Sequence, residues 1–251
     1  MNPLKVTAHR PWKLPERLWV MKQRWLDLLF AHWPVRYDEL RQLVPPGLEL
    51  DIFDGYAWIG IVPFRMERIR LRGLPPIPFA NAFAELNVRT YVTMGDKPGV
   101  YFFSLDAAHR LAVMAARRFV YLPYFYADMR VNRRQTGHID YSSHRRDGRG
   151  AAVSLEAAYA PASPQFVSTP HSMEHWLTER YGLYTFDRQG TIWRGDIHHL
   201  PWNLQSAEAE FRHNSMASGQ GIRLMKSKPL LHFSHMQDVW IWPLVKAEIS
   251  S

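Results

Sequence analysis

The chain of 251 residues contains no cysteine. Disulfides, thiolate nucleophiles and cysteine-ligated metals are therefore excluded. No apolar run approaches the length of a membrane-spanning helix, so no membrane is an expected partner. The opening residues, MNPLKVTAHRPWKLPERLW, lack the apolar core of a secretory signal, which makes the cytoplasm the expected location. There is no repeat of fixed period and no low-complexity linker. No G-x-S-x-G elbow occurs, so serine-hydrolase chemistry has no support. The small-residue stretch SMASGQG at 215–221 has neither the order nor the context of a phosphate loop. Nothing in the sequence calls for a cofactor.

Acidic residues are the scarcer charge. There are 23 Asp and Glu against 31 Lys and Arg, a net charge of +8. That excess favours anionic partners by long-range attraction. A nucleic acid would be met by Arg130, Arg133, Arg134, Arg145, Arg146 and Arg149, but no reader motif accompanies them, so this partner is not the expected one. A small-molecule ligand is the favoured partner, and a homo-oligomer is allowed.

What the chain does have is strand patterning punctuated by 18 prolines and 14 glycines. Residues 48–64 read as a hairpin around Asp54-Gly55, 141–159 as one around Asp147-Gly148, and 183–197 as one turning at Arg188 to Gly190. Further strands are expected at 24–33, 83–94, 99–105, 123–132, 202–212 and 230–242. Three short helices are expected. The first covers 37–44, with Leu40, Leu43 and Val44 on one side and a stop at Pro45-Pro46-Gly47. The second covers 106–119, capped by Asp106, with Leu111, Met114 and Ala115 on one stripe and Arg117 and Arg118 in its last turn. The third covers 169–182, with Thr169 as cap, Pro170 in first position and Gly182 as stop. The stretch 71–80 reads as a loop and 1–20 as a poorly packed arm. The sum is one α+β domain over 1–251, mostly antiparallel β, built on a curved sheet or barrel.

Two segments carry candidate chemistry. In FAELNVRTYVTM (83–94), alternation puts Glu85, Asn87, Arg89 and Tyr91 on one face and Leu86, Val88, Thr90, Val92 and Met94 on the other. The polar face is either an exposed ladder or the inner wall of a barrel, where Glu85 and Arg89 must be paired or serve a ligand. In RRFVYLPYFYADM (117–129), Pro123 ends the helix and Tyr124 and Tyr126 share a face, as core or as a source of ligand-orienting hydroxyls. Metal ligation is not expected. His171 and His175 stand one helical turn apart but lack a third ligand, and nothing fixes Asp196, His198 and His199 relative to them.

These segments resemble a known group. YDELRQLVPPGLELD (37–51) and AARRFVYLPYFYA (115–127) look like blocks of acetoacetate decarboxylase-like proteins. Together with FAELNVRTYV and HHLPWNLQSAEAEF, residues 20 to 243 resemble the YqjF-like family of uncharacterised bacterial proteins within that superfamily. The resemblance implies a barrel or cone-shaped sheet with an internal pocket and a few flanking helices. In the decarboxylases a lysine follows the proline and forms an imine with a β-keto acid. Here Pro123 is followed by Tyr124 and Phe125, so Schiff-base decarboxylation is not expected. The resemblance further implies a pocket role for Glu85, for Arg24 near a substrate-binding arginine, and for Arg117 ahead of the missing lysines. The expected ligand set is thus Arg24, Glu85, Arg89, Arg117 and Tyr124. Glu85 and Tyr124 are the catalytic candidates if the protein is an enzyme acting on a keto or hydroxy acid.

Overall fold

The computed structural model describes residues 2–76 and 82–248. Strand β1 (Met21–Val35) leads into helix α1 (Tyr37–Arg41), the short β2 (Glu49–Leu50), and the long β3 (Ala57–Leu71), β4 (Ala82–Met94) and β5 (Lys97–Ala107). Helix α2 (Arg110–Phe119) precedes β6 (Tyr124–Arg133), β7 (Ile139–Arg145) and β8 (Ser154–Pro161). Helix α3 (Met173–Thr178) precedes β9 (Gly182–Phe186), β10 (Ile192–His198), β11 (Gln205–Asn214), β12 (Leu230–Ile241) and β13 (Val245–Lys246). Residues 77–80 of the loop expected at 71–80 lie outside the described residues.

All the strands among the described residues belong to one 13-stranded sheet, antiparallel except where β5 meets β6 and β9. The wall β12-β1-β3-β4-β5 is common to two closures. One edge of β5 pairs with β9 at Val100 and Tyr101, then with β6 from Leu105 to Ala107. The outer edge of β12 forks in the same way, to β11 at His232 and Phe233 and to β10 at Trp240 and Ile241. The pairings therefore return through β6-β7-β8-β11 on one path and through β9-β10 on the other, which leaves the common wall few free edges. This is the barrel-like or cone-shaped sheet that the sequence implies.

Both faces of the wall are buried. Leu86, Val88 and Val92 of β4 pack with Ile139, Tyr141, Leu155 and Tyr159 of β7 and β8. The opposite face carries Leu28 and Phe30 of β1 and Val62 and Phe64 of β3, covered by Trp202 and Leu204. Tyr91, Trp58 and Leu177 of α3 extend that layer.

Local expectations were met unevenly. The 141–159 and 183–197 hairpins form as β7–β8 and β9–β10, with Gly190 at φ +81 closing the second turn. Asp54 and Gly55 do turn with positive φ, but only Phe53 and Tyr56 bridge across them. Beyond that bridge β2 pairs with β4 instead of β3, so the 48–64 hairpin is a turn between diverging strands. Helix α2 starts at Arg110 with the His109 ring, not Asp106, capping Ala112. Asp106 belongs to β5 and is fully buried. Val113 faces inward, while Leu111 and Met114 of the expected stripe are exposed. Helix α3 is capped by Ser172, and Thr169 and Pro170 precede it. The arm at 1–20 is tied down: Arg10 donates to the Ile197 carbonyl at 2.6 Å, Trp12 to Asp196 at 3.0 Å, and Trp242 to the Arg17 carbonyl at 2.7 Å.

Candidate functional site

Strand β4 decides the geometry. Its face bearing Glu85, Asn87, Arg89 and Tyr91 points inward, so the exposed-ladder reading is set aside. Glu85, Asn87 and Tyr91 are buried and Arg89 is half-buried. The four side chains form a polar row inside an otherwise apolar layer. Such a row is costly unless each member finds a partner.

At one end, the Tyr124 hydroxyl donates to Oε2 of Glu85 at 2.9 Å. The contact exists because Leu105 of β5 pairs with Tyr124 of β6 while Ala107 pairs with Glu85, which sets the two side chains on the same side of β5. Burial pushes the Glu85 carboxyl up to about 8; the Tyr124 hydrogen bond opposes the shift and nearby Asp106 adds to it. Glu85 is thus a neutral acid at pH 7. Burial, followed by the Glu85 charge, raises the Tyr124 phenol well above its ordinary value. Arg117 of α2 donates to the Tyr124 carbonyl at 2.6 Å and to the Asp147 carboxylate, which fastens helix to strand. Behind the sheet, Tyr141 donates to the Glu85 backbone carbonyl at 2.7 Å. Asp106 and Arg145 form a buried pair at 2.6 Å, with Arg145 lying 4.0 Å over the Phe125 ring.

At the other end, Tyr91 donates to the Leu177 carbonyl at 2.9 Å and lies 2.6 Å from Nε2 of His32. The phenol has one proton, already given to Leu177, so Nε2 of His32 carries the proton of that contact. Burial, aided by the Arg89 charge, holds His32 well below the ordinary histidine range, and it is neutral. Arg89 reaches the same Leu177 carbonyl at 3.3 Å. Gly60, opposite both residues on β3, makes the row possible: a Cβ there would stand 3.1 Å from the His32 ring and 3.4 Å from Cγ of Arg89. Arg180, beyond α3, donates to Asp51 at 2.5 Å and to the Trp176 carbonyl at 2.6 Å.

Several atoms along this row have no hydrogen-bond partner. They are Oδ1 of Asn87, Nε of Arg89, Nδ1 of His32, Nη2 of Arg180 and Nδ1 of His232. His232, on β12, joins them because it pairs with Phe30 of β1.

The structure brings Glu85, Tyr124 and Arg117 together and places Arg89 farther along the same row. Arg24 is elsewhere. It donates to Asp238 at 2.7 Å and lines an outer hollow of about 370 Å³ with Lys22, Arg68 and Arg70. A second outer hollow, of about 730 Å³, runs along β6 and β7 past Asp128, Arg130 and His144. Neither hollow is lined by Glu85 or Tyr124. Tyr126 turns outward to Asp128. His171 lies before α3 at φ +68, so it does not share a helix with His175. His198 and His199 are spent on the Pro3 and Leu200 carbonyls, and Asp196 on Trp12 and Arg194. Sequence reasoning missed His32, Arg180 and His232, since each lies on an element whose pairing cannot be read from its own segment.

The fold is that of the acetoacetate decarboxylase-like proteins. An acetoacetate decarboxylase-like enzyme from Sphingomonas wittichii RW1 superposes with a TM-score of 0.63 over 92% of this chain and 94% of its own, at 11% identity. The enduracididine biosynthesis enzyme MppR, solved in complex with pyruvate, superposes with a TM-score of 0.62 over 96% of this chain and 95% of its own, at 13% identity. Residues 22–238 match DUF2071, a family of uncharacterised conserved proteins, and the chain belongs to that family. It is 53% identical over 233 residues to the uncharacterised protein YqjF of Bacillus subtilis strain 168, covering 93% of this chain and 95% of that one.

Proposed function

We propose that the protein binds a small organic anion along the inner polar row of β4. The observation that carries this reading is that one buried strand face holds both a neutral acid, Glu85 on Tyr124, and a cation whose Nε lacks a partner, Arg89. Arg89 neutralises the anion through a charge-assisted hydrogen bond, and at the other end of the row Glu85 and Tyr124 offer polar groups to any ligand long enough to reach them. Arg117 contributes by holding the Tyr124 backbone. Arg24 is left out because Asp238 already occupies its guanidinium. An imine mechanism has no basis, because the residue after Pro123 is a phenol. The pyruvate bound to MppR makes keto acids the natural first panel.

Calorimetric titration of the full chain with keto and hydroxy acids is the test. Binding that weakens about thirtyfold or more in Arg89→Gln supports the reading, since the variant removes a charged hydrogen-bond donor. Equal affinity for acids and their methyl esters overturns it. A second reading, an enzyme using Glu85 as general acid or base, is favoured by the elevated Glu85 pKa. It predicts turnover in that panel, lost in Glu85→Gln while binding persists.

A further inference from the structure

We propose that Arg180 is the second cation of this site and that the Arg89–Arg180 end takes the carboxylate of an elongated ligand, one whose far end reaches Glu85. The inference rests on the anion-binding reading above and adds the anchor and the length of the molecule. Arg180 and Arg89 both lie against the Tyr91 ring, at 4.9 and 5.7 Å from its centroid. Two guanidiniums therefore flank one ring, and the acid hydrogen-bonded there is Asp51, on Arg180. Arg180 is only 5% exposed, yet its Nη2 has no partner, and neither has Nε of Arg89. Buried cations need pairing more than surface ones do. A carboxylate offers two oxygens to two unpartnered N–H groups.

The spacing sets the length. Glu85 and Arg89 stand four residues apart on β4, so their Cα atoms are separated by about 13 Å. Their side chains diverge, Glu85 toward Tyr124 and Arg89 toward Leu177. A pyruvate-sized acid, with only a few bonds, touches one end or the other. A chain spanning both passes Asn87, whose Oδ1 is unpartnered. The class is therefore a medium-chain carboxylate with a hydroxyl or keto group remote from the acid.

The test titrates the full chain with pyruvate, 8-hydroxyoctanoate and 1,8-octanediol. The expected result is that 8-hydroxyoctanoate binds about tenfold more tightly than pyruvate, and about a hundredfold more tightly than the uncharged diol. Arg180→Gln is expected to remove most of the preference for acid over diol, and Arg180→Lys to restore part of it. If Arg180→Gln does not fold, the wild-type comparison of acid with diol decides alone. Pyruvate binding with rejection of the longer acid leaves the anion-binding reading intact and overturns this one. Full acid preference in a folded Arg180→Gln removes Arg180 from the site. Failure of every carboxylate to bind overturns both readings.

Discussion

Burial keeps the proton on Glu85 up to about pH 8, whereas the same carboxyl in the unfolded chain releases it near 4.5. Between those values the unfolded state binds fewer protons than the native one, so stability falls as pH rises. At 1.36 kcal/mol per unit, the loss is on the order of 5 kcal/mol by the alkaline end of the window. Glu85→Gln keeps an acceptor for Tyr124 and has no proton to lose. Urea unfolding between pH 5 and 9 is expected to show a falling profile for the wild type. The variant's profile should lack this component, leaving it the more stable protein above pH 8. Parallel profiles would mean that Glu85 is solvated. At this scale the sequence was informative about Glu85 and Tyr124, because strand alternation alone groups Glu85 with Arg89. It was silent about His32 and Arg180, whose relevance depends on three strands and a helix meeting at Gly60, Tyr91 and Leu177.

Elements are joined by a few buried polar contacts, and Asp106 with Arg145 is the most enclosed ion pair among the described residues, at 0% and 1% side-chain exposure. It links the end of β5 to the end of β7. Burial raises the Asp106 pKa and the Arg145 guanidinium pulls it back down. Arg145→Met alone leaves a buried carboxylate without its cation, and chemical denaturation should show a loss of about 3 to 5 kcal/mol. Adding Asp106→Leu should recover most of it. A double variant as unstable as the single one would show that Arg145 acts through its 4.0 Å packing on Phe125 instead. The misread start of α2 has the same origin. An aspartate ahead of a helical pattern is a good capping signal, but pairing with Leu86 and Phe125 on either side, and the arginine arriving from a hairpin far along the chain, keep Asp106 in the strand.

For the whole molecule the net charge stays at +8, but four of the six arginines that suggested a polyanion are held in ion pairs, Arg133 on Asp27 among them. Arg145 is buried on Asp106, Arg134 lies on Asp140 at 2.5 Å, and Arg146 lies on Asp128 at 2.8 Å. Titration with a DNA duplex at 50 and 200 mM salt is expected to show only weak association. A steep loss of strong binding between those concentrations would restore the nucleic-acid reading. The closure of the sheet was legible as a class, because many alternating segments with few helices leave little else. The forks at β5 and β12 were not legible, since one strand changing partners along its edge leaves no mark in its own alternation.

By itself the sequence determined the strand pattern, two of three hairpins, the polar and apolar faces of β4, and the absence of an imine-forming lysine after Pro123. Each follows from local backbone preference or residue chemistry, which act over a few positions. Only the tertiary structure decided that the polar face of β4 turns inward, that Glu85 meets Tyr124, and that Arg89 shares Tyr91 with Arg180. Those contacts join residues distant in the chain. They are set by which strands pair and in what register, and that is fixed by how the apolar faces bury together.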